Sequence, residues 1–242
     1  KIEEPKLFRR KVFFTALAIR MLYAYLICYY YYYQTGVTFE YGAADSIGYH
    51  KTAAYLSHCV RDGYIKYIFQ YLNAYTMGLS DQGYTLWLTL IYTIFGPNLL
   101  IPRPFKALMS AYLCLVVYRL GSRTFGERTG RLAAVMCVFM PILTQICGMH
   151  TKEMEMIFLS ILALERMDYL IRSKKYTFWN ILCPIVLTAL TFGFRTIIGM
   201  CLIFAFLMFI VLSPNDLVGK KGKIIVFAAT VVLFFVFLFS TT

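Results

Sequence analysis

Residues 177–215 read TFWNILCPIVLTALTFGFRTIIGMCLIFAFLMFIVLSPN and carry one ionisable side chain, Arg195. A membrane-spanning helix needs about 20 predominantly apolar residues. The runs 177–194 and 196–212 approach that length, with Arg195 at the junction between them. A cation at mid-bilayer costs roughly 2.5–3.5 kcal/mol and less near an interface, so Arg195 is expected where the chain comes back to a membrane surface. The rest of the chain has the same character. Of its 242 residues 60% are hydrophobic and 15% charged, with a mean hydropathy of +0.65. A soluble domain carries about 25% charged residues. The expected fold is therefore all-α, a polytopic integral membrane protein forming one transmembrane domain over residues 1–242. Seven spans are expected, near 13–34, 104–121, 131–148, 154–172, 177–194, 196–212 and 224–241. The chain stops at Thr242 within an apolar run, which fits a piece of a longer protein.

The net charge of +12 would suggest nucleic acid in a soluble protein. Its distribution gives another reading. Lys1, Lys6, Arg9, Arg10 and Lys11 flank the first span, and Arg119, Arg123, Arg128 and Arg131 separate the second from the third. Arg166, Arg172, Lys174 and Lys175 follow the fourth, and Lys220, Lys221 and Lys223 precede the seventh. All fall on one side when the N-terminus is cytoplasmic, as the positive-inside rule requires. The charge is thus a topology signal and no nucleic acid partner is expected. Arg20 lies inside the first span and is expected to snorkel to the cytoplasmic interface. Tyr29 to Tyr33 close that span as an aromatic belt. The seven cysteines, with no C-x-x-C pair, read as small apolar packing residues.

The long outer segment, 34–103, stands among tight loops, and long loops carry function. Helical patterns cover 44–60, 64–75 and 83–95, and all three are expected to lie along the outer leaflet. Few ionisable residues fall on this outer side. Asp45 opens the first loop helix with Tyr49 at i+4 on the same face. His150, Lys152 and Glu153 occupy the tight connection before the fourth span, and Arg195 lies between the fifth and sixth. Each has a plain structural reading: helix-dipole acid, solvated turn, interfacial anchor. Together they place two carboxylates and several cations on one membrane face, which suits an anionic lipid substrate and acid–base work.

The order of short motifs resembles a known family. Asp45-x-x-x-Tyr49 is followed by Asp62-Gly63, Gly83-Tyr84 opening a short apolar helix, and Phe95-Gly96. Arg103 then opens the second span and Arg-Leu-Gly-x-Arg-x-Phe-Gly ends it at 119–126. Pro141, Glu153 and Arg195 follow. This pattern is similar to the GT-C class of membrane glycosyltransferases, in the branch holding protein O-mannosyltransferases, the lipid A aminoarabinose transferase and bacterial surface-polysaccharide transferases. The resemblance implies transfer of a sugar from a polyprenyl-phosphate donor to a glycan, lipid or protein acceptor. It implies an active site on the periplasmic or exterior face of a bacterial inner membrane. Asp45 and Glu153 would be the catalytic carboxylates, and Arg195, Lys152 and Arg103 would bind the donor phosphate. Tyr49, His50, Asp81, Tyr84 and His150 would line the substrate cavity. Some members carry Lys-Pro before the Gly-Tyr helix, where Asp81-Gln82 stands here; Lys152 could supply the missing cation.

The chemistry agrees. A carboxylate can take the acceptor hydroxyl's proton, and fixed cations can meet the charge gathering on the leaving phosphate. A divalent cation could do the latter, although His50, His58 and His150 show no ligand spacing and no metal ligands or cofactor are assigned. A transporter or flippase for a lipid-linked or anionic solute is the rival reading, since charged and Gly/Pro-broken membrane helices are also transporter features. An assembly subunit of a polysaccharide export complex is a third. Charge gathered at one face, without inverted repeats, favours transfer.

Overall fold

The computed structural model describes residues 4–74, 82–173, 177–212, 222–223, 225 and 227–228. Among them are ten α-helices and no strand. These are α1 (Pro5–Thr35), α2 (Ala44–Arg61), α3 (Lys66–Ala74), α4 (Gln82–Phe95), α5 (Pro102–Phe125), α6 (Glu127–Val138), α7 (Pro141–Gly148), α8 (Glu153–Ser173), α9 (Phe178–Phe194) and α10 (Thr196–Leu212). The expected spans 13–34, 104–121, 131–148, 154–172, 177–194 and 196–212 coincide with α1, α5, α6 with α7, α8, α9 and α10. The seventh, 224–241, lies almost wholly outside the described residues. Among the described residues α1 alone is a clear span by length and apolar composition, and α6 with α7 becomes a second if the pair, bent by 44°, crosses as one. Helices α9 and α10 are apolar but 17 residues each.

Helices α5 and α8 run parallel and are pinned at both ends by charge. At one end Lys106 meets Glu155 at 3.3 Å. At the other Arg123 reaches Glu165 at 2.7 Å and Asp168 at 3.0 Å. Arg166 also meets Glu165 and Arg172 also meets Asp168. Of the basic residues assigned to one membrane side, Arg119, Arg123, Arg166 and Arg172 gather here, and in the neighbouring hairpin Arg131 pairs with Glu127 and lies over Phe8 of α1, whose ring packs on Tyr118. The motif at 119–126 has two structural uses here. A Cβ on Gly121 would crowd Gly130 Cα at 3.1 Å, so the glycine lets α6 close on α5. Gly126, at φ 92°, makes the left-handed turn between them.

One expectation is corrected. Arg20 does not snorkel: it is fully buried, and its Nη2 donates to the Cys137 carbonyl at 3.0 Å. The reason lies four residues further on. Pro141 has no N–H, so the helical partner of the Cys137 carbonyl is missing and the α6–α7 span breaks there. Arg20 fills that gap from α1. Helix α4, expected along the outer leaflet, buries one face within the bundle end and leaves Leu90, Ile94 and Phe95 exposed on the other. Its Tyr84, Leu88, Ile91 and Tyr92 are buried, packed with Ala53 of α2, Met156 of α8 and Phe194 of α9. Arg61 of α2 caps its end by donating to the Tyr92 and Thr93 carbonyls at 2.7 and 3.0 Å. Too short to span, α4 fills the bundle end with its buried face.

Arg20→Leu should lower stability by about 1–3 kcal/mol, the cost of leaving the buried Cys137 carbonyl only the long 3.5 Å contact from the Met140 N–H. In a Pro141→Ala background residue 141 can supply that N–H, and the loss should shrink. Thermal unfolding of the four proteins in detergent measures the coupling; equal losses in both backgrounds would refute the account.

Candidate functional site

The site lies at the end of the bundle where α2, α4, α5, α8 and the α9–α10 junction meet. Its organiser is Glu40, in the segment between α1 and α2. One Glu40 oxygen accepts from the Ser46 hydroxyl, one residue after Asp45. The other accepts from the His150 backbone N–H at 3.2 Å. The start of α2 and the connection carrying Lys152 and Glu153 are thereby tied to one buried carboxylate. Arg103 secures the same connection from below. It donates to the carbonyls of Gly148 at 3.3 Å, Leu99 at 3.0 Å and Thr38 at 2.8 Å, and is 1% exposed. These bonds commit much of its guanidinium to backbone.

Above this frame lies an aromatic–histidine layer. Tyr92 Oη stands between His50 Nδ1 at 2.9 Å and His150 Nε2 at 3.3 Å. His150 Nδ1 is buried with no hydrogen-bond partner among the described residues. The arrangement is satisfied when His150 Nε2–H donates to Tyr92 and Tyr92 donates to His50. Burial, then the Lys106 and Arg103 cations, push the His150 pKa well below its ordinary value, so the ring is neutral. Burial also lowers His50. Tyr84 packs edge-on against both Tyr49 and His150, and its buried hydroxyl has no hydrogen-bond partner among the described residues. Burial raises the Tyr84 pKa, and Glu155 and Glu153 lie close enough to raise it further.

Lys152 connects the remaining groups. It is buried, and its Nζ lies 5.9 Å from the Tyr49 ring centroid. Burial lowers its pKa, the neighbouring Arg195 lowers it further, and Glu153 and Asp45 pull it back. Asp45, Lys152, Glu153 and Arg195 thus share one electrostatic neighbourhood, although they come from α2, the α7–α8 connection and the α9–α10 junction. Asp45 and Arg195 are exposed, Glu153 is half-buried, and Glu153 Oε2 is shut from solvent without a hydrogen-bond partner among the described residues. Arg195 stands in an extended one-residue break (φ −161°, ψ 116°) between α9 and α10. Close backbone approach brings that break to α4: a Cβ on Gly83 would stand 2.7 Å from the Gly193 carbonyl carbon.

Asp45, Tyr49, His50, Tyr84, Arg103, His150, Lys152, Glu153 and Arg195 are accordingly brought to one end of the bundle, while Asp81 lies outside the described residues. Four residues of the cluster went unassigned in the sequence: Glu40, Tyr92, Lys106 and Glu155. Lys106 and Glu155 had a legible signal, since each is an ionisable residue two or three positions inside an apolar span, beyond Arg103 and Glu153. Glu40 had none, because its partners are a backbone N–H and a serine. Among the described residues no three His, Cys, Asp or Glu side chains converge as metal ligands.

A carboxylate within reach of solvent, cations beside it and a second carboxylate behind thus lie together at one end of a helical bundle. The sequence model of the family described as dolichyl-phosphate-mannose-protein mannosyltransferase matches residues 83–240, about two-thirds of the chain, and the protein belongs to this family of glycosyltransferases. The matched segment holds Tyr84, Arg103, His150, Lys152, Glu153 and Arg195; Asp45, Tyr49 and His50 precede it. No curated protein and no solved structure showed significant similarity to the chain.

Two outcomes test this geometry. Gly83→Ala must displace the Gly193 backbone and should destabilise by about 1–3 kcal/mol. Gly193→Ala, whose Cβ would meet Gly83 at an ordinary 3.6 Å, should be near neutral; equal melting shifts would disprove the close approach. The second outcome concerns pH. His150 is lowered in the fold, so below about pH 6.5 the unfolded chain takes a proton the fold refuses. Its contribution is complete above that pH and declines as pH falls, by up to about 1.4 kcal/mol per unit. His150→Gln should flatten the acid limb of a melting-temperature profile, and an unchanged limb would contradict the neutral ring.

Proposed function

We propose that the protein transfers a sugar from a polyprenyl-phosphate donor to a hydroxyl-bearing glycan, lipid or protein acceptor at the outer face of a membrane, with the basic end of the bundle cytoplasmic. A bacterial inner membrane is the setting the motif pattern favours. The observation that carries the reading is the shared field of Asp45, Lys152, Glu153 and Arg195 in a chain of this glycosyltransferase family. Membership in that family favours transfer over transport.

In this reaction the acceptor oxygen bonds to the anomeric carbon of the sugar as the bond from that carbon to the phosphate oxygen breaks. The hydroxyl proton must leave as its oxygen attacks, and the polyprenyl phosphate departs with an extra negative charge. Asp45 is assigned as the proton acceptor because it is exposed and can reach an incoming hydroxyl. Arg195 and Lys152 are assigned to the phosphate, where fixed cations act in a site of reduced dielectric. Glu153 is assigned to the cavity wall, its charge acting on Tyr84 and helping to keep Lys152 protonated. Arg103 acts here through the backbone it holds. The donor's isoprenoid chain has a fitting berth in an apolar crevice of about 340 Å³ between α8, α9 and α10. It is lined by Met167, Pro184, Ile185, Phe192 and Phe206, with Phe192 three residues before Arg195.

The assignments separate by experiment. Asp45→Asn should slow transfer by about 10²-fold or more and spare donor binding. Arg195→Ala should weaken donor binding roughly 10- to 100-fold and slow transfer. Arg195→Lys should recover only part, because it lacks the bidentate fork. Donor binding and sugar transfer are measured in nanodiscs for each variant. Wild-type transfer by both Asp45→Asn and Arg195→Ala would rule out this site.

A further inference from the structure

The other end of α1 holds a second, separate feature. A cavity of about 550 Å³ opens between its first turns and α5, lined by Lys6, Arg9, Arg10, Phe13, Phe14, Tyr112 and Leu115. A second of about 390 Å³ adjoins it, sharing Arg10 and Phe14 and adding Leu7, Lys11 and Thr15. Among the described residues no acidic side chain lines either one. Glu4 lies nearby on the helix N-terminal side. Glu127, the acid of the neighbouring hairpin, is bonded to Arg131 at 2.7 Å and to the Tyr118 hydroxyl at 2.8 Å. Arg119 stands behind the wall, donating to the Tyr112 hydroxyl at 3.3 Å.

The lining is graded along the helix. Lys6, Arg9 and Arg10 come first and Phe13 and Phe14 one turn later, so cations give way to rings over about 12 Å at 1.5 Å per residue. Phe14 is 58% exposed and Leu7 46% exposed, apolar surface that water would not favour. Positive residues that only set topology need no concave wall and no aromatic floor. The groove also lies about 30 Å along α1 from Ile27, which packs on Gly148 beside the candidate site, too far to serve the same phosphate.

We propose that this groove is a binding site for the headgroup of an anionic phospholipid, its phosphate on Lys6, Arg9 and Arg10 and the start of its acyl chains against Phe13, Phe14 and Leu115. A free inorganic anion would use the cations and leave the aromatic floor idle, which is why a lipid is assigned.

The test is native mass spectrometry of the full chain in detergent with phosphatidylglycerol, phosphatidylcholine or inorganic phosphate added. Phosphatidylglycerol should be retained in preference to phosphatidylcholine. Arg10→Gln should weaken it about fivefold, the effect of one cation at an anionic lipid surface, and Phe14→Ala should weaken it while leaving every charge in place. Arg128→Gln makes the same charge change on an exposed residue outside the groove and should have no effect. Equal losses for Arg10→Gln and Arg128→Gln, equal retention of the two lipids, or displacement of phosphatidylglycerol by millimolar inorganic phosphate would each overturn the proposal. Arg10 and Phe14 are both exposed, so neither substitution endangers folding, and the readout does not depend on sugar transfer.

Discussion

Lys106 and Glu155 face each other at 3.3 Å with side chains 0% and 2% exposed. Each begins a long uncharged stretch, 107–118 in α5 and 156–164 in α8, and neither charge could be buried alone. Removing one partner of such a pair typically costs about 3–5 kcal/mol, because the other is left without compensation. The pair therefore fixes the register of α5 against α8. Lys106 also donates to the Thr151 carbonyl and lies 4.9 Å from the Tyr84 ring centroid. One ammonium thus joins α5 to α8, to the connection bearing Lys152 and Glu153, and to α4. Those elements supply most of the candidate site.

The same physics explains the rest of the bundle. A helical body with apolar flanks has little polar surface to spare, so each interior polar group must find a partner within the protein. Arg20 answers the carbonyl freed by Pro141, Arg61 caps α4, and Arg103 holds three carbonyls near the site. The outward faces are apolar: Leu22 and Leu26 on α1 are 64% and 59% exposed, and Trp179 and Ile185 on α9 are 71% and 57% exposed. Such surfaces are expected against lipid and unfavourable in water.

The two ends of the molecule differ in how charge is used. At the basic end, Arg123, Arg131 and Arg172 are paired with Glu165, Glu127 and Asp168, and Arg123 clasps α5 to α8. At the other end, charges of both signs are held close without all being consumed. Asp45 and Arg195 remain exposed beside the buried Lys152. Glu40 ties the segments bearing Asp45 and Lys152 together through a serine hydroxyl and a backbone N–H, leaving the exposed groups available for a ligand.

Much of the helical layout was legible in residues 177–215 and their like, because burying helical backbone in lipid demands long apolar runs and leaves few alternatives. The polarity of the bundle was legible too, since Arg123, Arg131 and Arg172 on one side and Asp45, Lys152 and Arg195 on the other sort by loop position alone. Asp45, Glu153 and Arg195 could be singled out because isolated charges in apolar sequence are costly. What the sequence could not determine was which charges pair. Arg20 reads as a snorkelling cation until the Cys137 carbonyl, freed by Pro141, 121 residues away, is seen to need a donor. Residues 83–95 read as interfacial, with no sign of the protein surface that the bundle end offers one face. Glu40 reads as an ordinary loop acid. Partner choice depends on distances between segments remote in the chain, set by close approaches such as Gly83 on Gly193, and only the tertiary structure decides those.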